Sequence, residues 1–224
     1  MIVDLLPPLF DESSSPPFCF GWSYKTGSLA RMRNFIGNRI FFNFFKPVSE
    51  VISTYRWQWK LPPFRSINEL FSERTRIGQI PAFLDFPRRN LPANFHYTGP
   101  FIDDSGRTPV PFPWERLNGK PLLYASMGTL QNGSVPIFQA IAQAVRDLDV
   151  QLVISTEGGL TEKDLKPLEG EPVVVEFAPQ IELIKRTTLV ITHAGLNTSL
   201  EALQCGKPMV AIPVTSDQPE LLCG

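Results

Sequence analysis

The sequence of 224 residues predicts an α/β fold built on parallel sheet with helices on both faces. Three observations predict it. After Lys120 short apolar runs alternate with stretches of helical period. The polar residues with the most chemistry follow directly on those runs, at the carboxyl ends where ligands of such sheets bind. Hydrophobic content of 43% and charge of 19% are those of a globular chain long enough to bury a core.

Taken in order, residues 1–27 are rich in Pro, Ser and aromatics without a period, and predict a surface-running loop. From Leu29 the apolar residues Met32, Ile36, Ile40, Phe44, Val48, Val51 and Tyr55 keep helical spacing, predicting one long helix bent at Pro47. A shorter helix is expected over 67–73 with Ser66 as its cap, and a short strand over 95–98. The proline-rich stretch 101–120, with Asp103-Asp104-Ser105-Gly106 and Pro109 to Pro113, predicts an interdomain connection. Strands are then expected over 122–126, 152–155, 173–177, 189–192 and 209–212, and helices over 135–147, 181–185 and 196–205. The divisions are 1–100, the linker 101–120, and 121–224.

Composition narrows the function. A net charge of −1 gives no basic surplus for nucleic acid. Cys19, Cys205 and Cys223 are too few and too scattered for a disulfide framework or a zinc site, so a reducing, cytoplasmic setting is the default. No stretch reaches the length of a membrane span, and Asp4 with Pro7-Pro8 argues against a signal peptide. Asp103-Asp104 is read as a solvated turn and no metal is expected. Residues 29–60 carry Arg31, Arg33, Arg39, Lys46, Arg56 and Lys60 against Glu50, among Phe41, Phe42, Phe44, Phe45, Trp57 and Trp59. Packing within a domain is the first reading of that segment, and peripheral contact with a membrane surface the second.

The chemistry concentrates between residues 177 and 218. His193, Gly195, Asn197 and Thr198 follow a strand and open a helix, whose unpaired N–H groups attract phosphate. Glu201 lies one turn further on, placed to accept ribose hydroxyls. Phe177, before Ala178-Pro179-Gln180, can stack on a base, an interaction worth roughly 1–3 kcal/mol. The turn Ser126-Met127-Gly128-Thr129 offers further N–H groups and the Thr129 hydroxyl. Asp217 and Gln218 suit sugar hydroxyls.

With Phe-Ala-Pro-Gln ahead and Asp-Gln behind, His-Ala-Gly-Leu-Asn-Thr-Ser-Leu-Glu-Ala-Leu at 193–203 resembles the donor signature of UDP-glycosyltransferases. Phe86-Pro87-Arg88, Leu91-Pro92, the run 95–100 and Pro16-Pro17 through Trp22 resemble bacterial zeaxanthin glucosyltransferase-like and macrolide-type members. The resemblance implies a glycosyltransferase B fold of two Rossmann-like domains, both incomplete in this chain. Residues 1–100 would be part of an acceptor-binding domain and 121–224 a donor-binding domain short of its end. It implies inverting transfer of a hexose from a UDP-sugar to a hydroxyl of a small lipophilic acceptor, with no cofactor. Phe177 would stack on uracil, with Ala178 and Gln180 beside base and ribose. Thr129, His193, Gly195, Asn197 and Thr198 would hold the diphosphate, Glu201 the ribose, and Asp217 with Gln218 the transferred sugar. The family's catalytic base is a His near its N-terminus, which this chain lacks, and His96 is read as structural. Two alternatives stand beside this reading: a non-catalytic fragment keeping part of the donor site, and a transferase of the lipid-linked N-acetylglucosamine type.

Overall fold

The computed structural model describes residues 2–4, 13–64, 69, 71, 73–103, 105–130, 133–161, 164, 168–215, 217–219 and 221. Most of the helix expected over 67–73, with its cap Ser66, lies outside these residues, as do Pro7-Pro8, Asp104 and Cys223. Contacts group the chain into two units, Met1–Pro100 with Thr215–Gly224, and Phe101–Val214.

The first unit holds a parallel three-stranded sheet of β1 (Ile2–Asp4), β2 (Arg76–Gly78) and β3 (Phe95–Tyr97), in that order. The expected N-terminal loop is thus corrected at its start. Three residues carry no period to read, but β1 is tied to β2 by its ladder and by Arg76, whose Nη2 lies 2.9 Å from Asp4 Oδ2. Gly78 makes room for Phe95, because a Cβ there would stand 2.8 Å from its Cζ. Around β3, Arg88 donates to both oxygens of Asp85 at 2.9 and 2.8 Å, and the Tyr97 hydroxyl donates to Asp85 Oδ2 at 2.6 Å. Asp85 is fully buried, so these two groups supply what water no longer can.

The long bent helix is instead two helices, α1 (Ser28–Phe44) and α2 (Lys46–Gln58), parted at Phe45. Pro47 sits in the first turn of α2, where a missing N–H costs nothing. The buried face of α1 is Asn34, Gly37, Asn38 and Phe41. Trp22 and Pro17 press against Gly37, where a Cβ would lie 2.7 and 3.0 Å from them. Asn38 Nδ2 donates to the Ser15 carbonyl at 3.2 Å, and Arg33 lies 5.0 Å over the Trp22 ring. The apolar stripe that announced the helix faces outward, from 49% exposed at Ile36 to 76% at Phe44, and α2 buries no residue.

The second unit is a parallel five-stranded sheet in the order β6-β5-β4-β7-β8. The strands are β4 (Leu122–Ser126), β5 (Gln151–Ser155), β6 (Val173–Val175), β7 (Leu189–Thr192) and β8 (Met209–Ala211). Helices α3 (Val135–Val145), α4 (Gln180–Arg186) and α5 (Leu196–Gln204) complete it. Every element of the predicted alternation is present, each with bounds within two residues of expectation. Period-two alternation gives each strand two apolar faces. Leu123, Ala125, Leu152, Ile154 and Ile191 pack with Phe138, Ile141 and Ala142 of α3. Leu122, Tyr124, Val153, Val173 and Val190 pack with Leu183 and Ile184 of α4 and Ala202 of α5. Burying both faces this way makes the sheet a rigid floor for the turns that leave its carboxyl edge.

Two tyrosine hydroxyls are pushed above the usual phenol range, Tyr97 by burial and then by Asp85, Tyr124 by burial and then by the charge of Glu157. A raised folded pKa contributes stability that is fully present below the unfolded value, about 10, and lost as pH rises beyond it. Urea midpoints are therefore expected to fall steeply above about pH 10. Tyr97→Phe lowers the midpoint at neutral pH but gives a shallower alkaline slope.

Candidate functional site

The register of the sheet brings two turns together. Ser126 of β4 lies opposite Thr192 of β7, so residues 127–130 and 193–195 leave the same edge side by side. Ser155 of β5 pairs with Val175 of β6, so Glu157 and Phe177 follow at the same level. Of the sequence-predicted residues, Thr129, Phe177, Ala178, Gln180, His193, Gly195, Asn197 and Thr198 lie in the turns and first helical turns that follow these strand ends, and Glu201 lies further along α5. Phe177 stands two residues beyond β6 rather than ending it, and it is half exposed.

His193 lies between two glycines. A Cβ on Gly128 would collide with the imidazole Cε1 and lie 2.8 Å from Nε2. A Cβ on Gly195 would lie 2.5 Å from Nε2 and 2.6 Å from Cε1. The close approach that Gly195 permits is therefore taken up by His193 itself. Its φ of −62° needs no glycine, and the left-handed residue of the turn is Ala194, at φ +65°. Gly128, at φ +67°, does need one. Gly128 N–H donates to Ser126 Oγ at 3.2 Å, and Thr129 is exposed just beyond.

Gly195 is the N-cap of α5, and no side chain closes that cap. The first-turn N–H groups are the ones that such a cap would engage, and a partial positive charge gathers there. Asn197 is exposed in this turn, while Thr198 is buried. Neither acts as a helix cap, the bland role that sequence alone allowed them.

Thr198 belongs to a buried polar network. The Tyr124 hydroxyl donates to Gln180 Oε1 at 3.2 Å. Gln180 Nε2 donates to Thr198 Oγ1 at 3.3 Å and to Glu201 Oε2 at 2.6 Å. Glu201 Oε1 accepts from Arg107 Nη2 at 2.6 Å. Glu201 is 3% exposed, so these donors stand in for water at its oxygens. Burial keeps the Tyr124 hydroxyl protonated, and hence a donor, throughout the neutral range.

A cleft of about 650 Å³ opens at this edge, lined by Arg107, Glu157, Phe177, Ala178, Gln180 and Lys185 among others. That volume suits a nucleotide-sized ligand. Glu201 borders a smaller cleft of about 350 Å³, and Ile181 and Lys185 line both. Asp217 and Gln218 are grouped with the other unit, where Gln218 is buried and its Oε1 accepts from the Thr215 N–H at 2.8 Å. His96 is exposed on β3. No group of three or more His, Cys, Asp and Glu fit to hold a metal occurs among the described residues.

Sequence reasoning missed Arg107, Glu157 and Tyr124. Arg107 stood in what read as a linker, 94 residues from its partner, and no local pattern marks such a pair. Tyr124 read as one more apolar strand residue.

A family model described as UDP-glucoronosyl and UDP-glucosyl transferase matches residues 20–222. The zeaxanthin glucosyltransferase of Pantoea ananas is 32% identical over 214 residues, covering 95% of this chain and 50% of that protein. The zeaxanthin glucosyltransferase of Pseudescherichia vulneris is 33% identical, over 95% of this chain and 51% of that protein. The chain thus spans about half the length of these relatives. Among solved structures, a glycosyltransferase of kitacinnamycin superposes with a TM-score of 0.60 at 20% identity, covering 80% of this chain and 50% of that one. That likeness shows the fold, the α/β glycosyltransferase B type, of which this chain carries part.

Because the imidazole fills the space of two absent Cβ atoms, Gly128→Ala is expected to cost about 2 kcal/mol or more, from the left-handed φ and the collision together. His193→Ala in the same background should recover part of that loss. A double-mutant cycle of urea midpoints measures it.

Proposed function

The chain belongs to the UDP-glucoronosyl and UDP-glucosyl transferase family, and we propose that residues 101–214 form the donor-binding part of an inverting hexosyltransferase. It takes glucose from UDP-glucose to a hydroxyl of a small lipophilic acceptor. The observation that carries this reading is the α5 N-terminus, left without a side-chain cap beside His193, with the buried Glu201 two turns along the same helix. A diphosphate placed there meets the first-turn N–H groups, the helix dipole, the Thr129 and Asn197 side chains and an imidazole, donors suited to the charge of a departing diphosphate. Phe177 offers its half-exposed ring to the base from the rim of the 650 Å³ cleft, with Ala178 and Gln180 beside it. Glu201 takes the ribose. No metal or cofactor enters the reaction, and the setting is cytoplasmic.

The glucosyl donor and the lipophilic acceptor are supported by the relatives, both named zeaxanthin glucosyltransferase. Neither histidine of the chain serves as the acceptor's base in this reading. His96 is exposed on β3, and His193 is wedged into the phosphate turn. Donor binding, rather than transfer, is thus the activity expected of the chain alone.

Calorimetry with UDP tests the reading. UDP is expected to bind the folded chain, and Glu201→Ala and His193→Ala each to weaken it by about tenfold or more, through lost hydrogen bonds to the ligand. A folded chain that gives no heat with UDP refutes the assignment.

A second proposal concerns the first unit alone. The outward stripe of α1 and α2 lies among six Arg and Lys residues against the single acid Glu50, which supports peripheral contact with an anionic lipid surface. No helix among the described residues is long and apolar enough to cross a membrane. Co-sedimentation with phosphatidylserine vesicles is expected at low salt, weakening at high salt and with Trp57→Ser/Trp59→Ser. Absence of binding at either salt rules it out.

A further inference from the structure

We propose that Arg107 is a positioning residue for Glu201. It holds the buried carboxylate turned so that its remaining lone pairs accept the two ribose hydroxyls of the donor nucleotide. The inference rests on the donor-site reading above and adds to it a residue from outside the family signature.

The carboxylate of Glu201 is 3% exposed, so its oxygens need donors in place of water. Its two oxygens are served separately: Oε1 by Arg107 Nη2 and Oε2 by Gln180 Nε2, each at 2.6 Å. An ionised carboxylate offers about four lone-pair sites. One donor on each oxygen leaves one open site on each oxygen, the pattern that a vicinal diol can satisfy with two O–H donors.

The two fixed donors differ in kind. Gln180 is neutral and anchored from the core, since its Oε1 accepts from the buried Tyr124 hydroxyl. That anchor settles which end of the amide faces Glu201. Arg107 is a guanidinium, reaches in from the segment ahead of β4, and borders the cleft with its side chain 47% exposed. Gln180 therefore fixes one oxygen from the core, and Arg107 fixes the other from the cleft side.

The experiment compares UDP with 2′,3′-dideoxy-UDP by calorimetry on the chain and on Arg107→Ala and Arg107→Lys, with circular dichroism and urea midpoints to confirm folding. Arg107→Ala is expected to weaken UDP about tenfold and to leave the dideoxy compound unchanged, so that discrimination between the two shrinks. Arg107→Lys should restore part of the UDP affinity, because it returns the charge without the planar fork. Equal losses for both compounds would mean that Arg107 serves the fold only. Unchanged or tighter UDP binding in the alanine variant would mean that it is idle or obstructive, and either result overturns the proposal. If the unaltered chain ignores UDP, the donor-site reading itself has failed, which is a separate and recognisable outcome.

Discussion

The placement of β4 against β7 is the constraint on which the site depends. Parallel pairing in this register sets Ser126 opposite Thr192, and the two following turns then have to share one small volume. They do so because Gly128 and Gly195 lack side chains at the positions that the imidazole of His193 fills. A sheet slipped by one residue would turn every strand side chain to the opposite layer and separate these turns. The two apolar layers on its faces hold the register in place.

Around that contact the structure distributes charge economically. One buried carboxylate, Glu201, is answered by a neutral amide from α4 and by a guanidinium from the segment ahead of β4. A hydrogen-bond chain from Tyr124 in β4 through Gln180 in α4 to Thr198 and Glu201 in α5 spans three elements of one layer. Such a chain rewards a single arrangement of those elements, since any one of them displaced leaves a buried polar atom unmet. The Asp85, Arg88 and Tyr97 cluster does the same for the first unit, around a fully buried acid.

The parts of this structure that were legible in the sequence are those written in local pattern. The strands from 122 onward and the helices between them announce themselves through runs and periods long enough to read, and the strand ends followed by small polar residues point to the site. What stayed hidden is set by distant partners. The strands β1 and β2 have three residues each, and their identity comes from the ladder between them. The spacing of Met32, Ile36, Ile40 and Phe44 correctly signals a helix but says nothing of what lies against it. The neighbour turns out to be the Ser15 to Trp22 segment, which packs on the Asn34, Gly37 and Asn38 side. Arg107 is the sharpest instance, since only the fold reveals that it meets Glu201.

Ala194 carries a consequence beyond its own geometry. A residue with a side chain held at φ +65° has fewer alternative shapes in the unfolded chain than a glycine there would have, and it adopts this one at some cost. That outlay falls at folding, before any guest arrives. The loop entering α5 thus has less backbone freedom to lose than a glycine-rich loop would, and under the donor-site proposal an anion arriving there would be spared part of that ordering entropy.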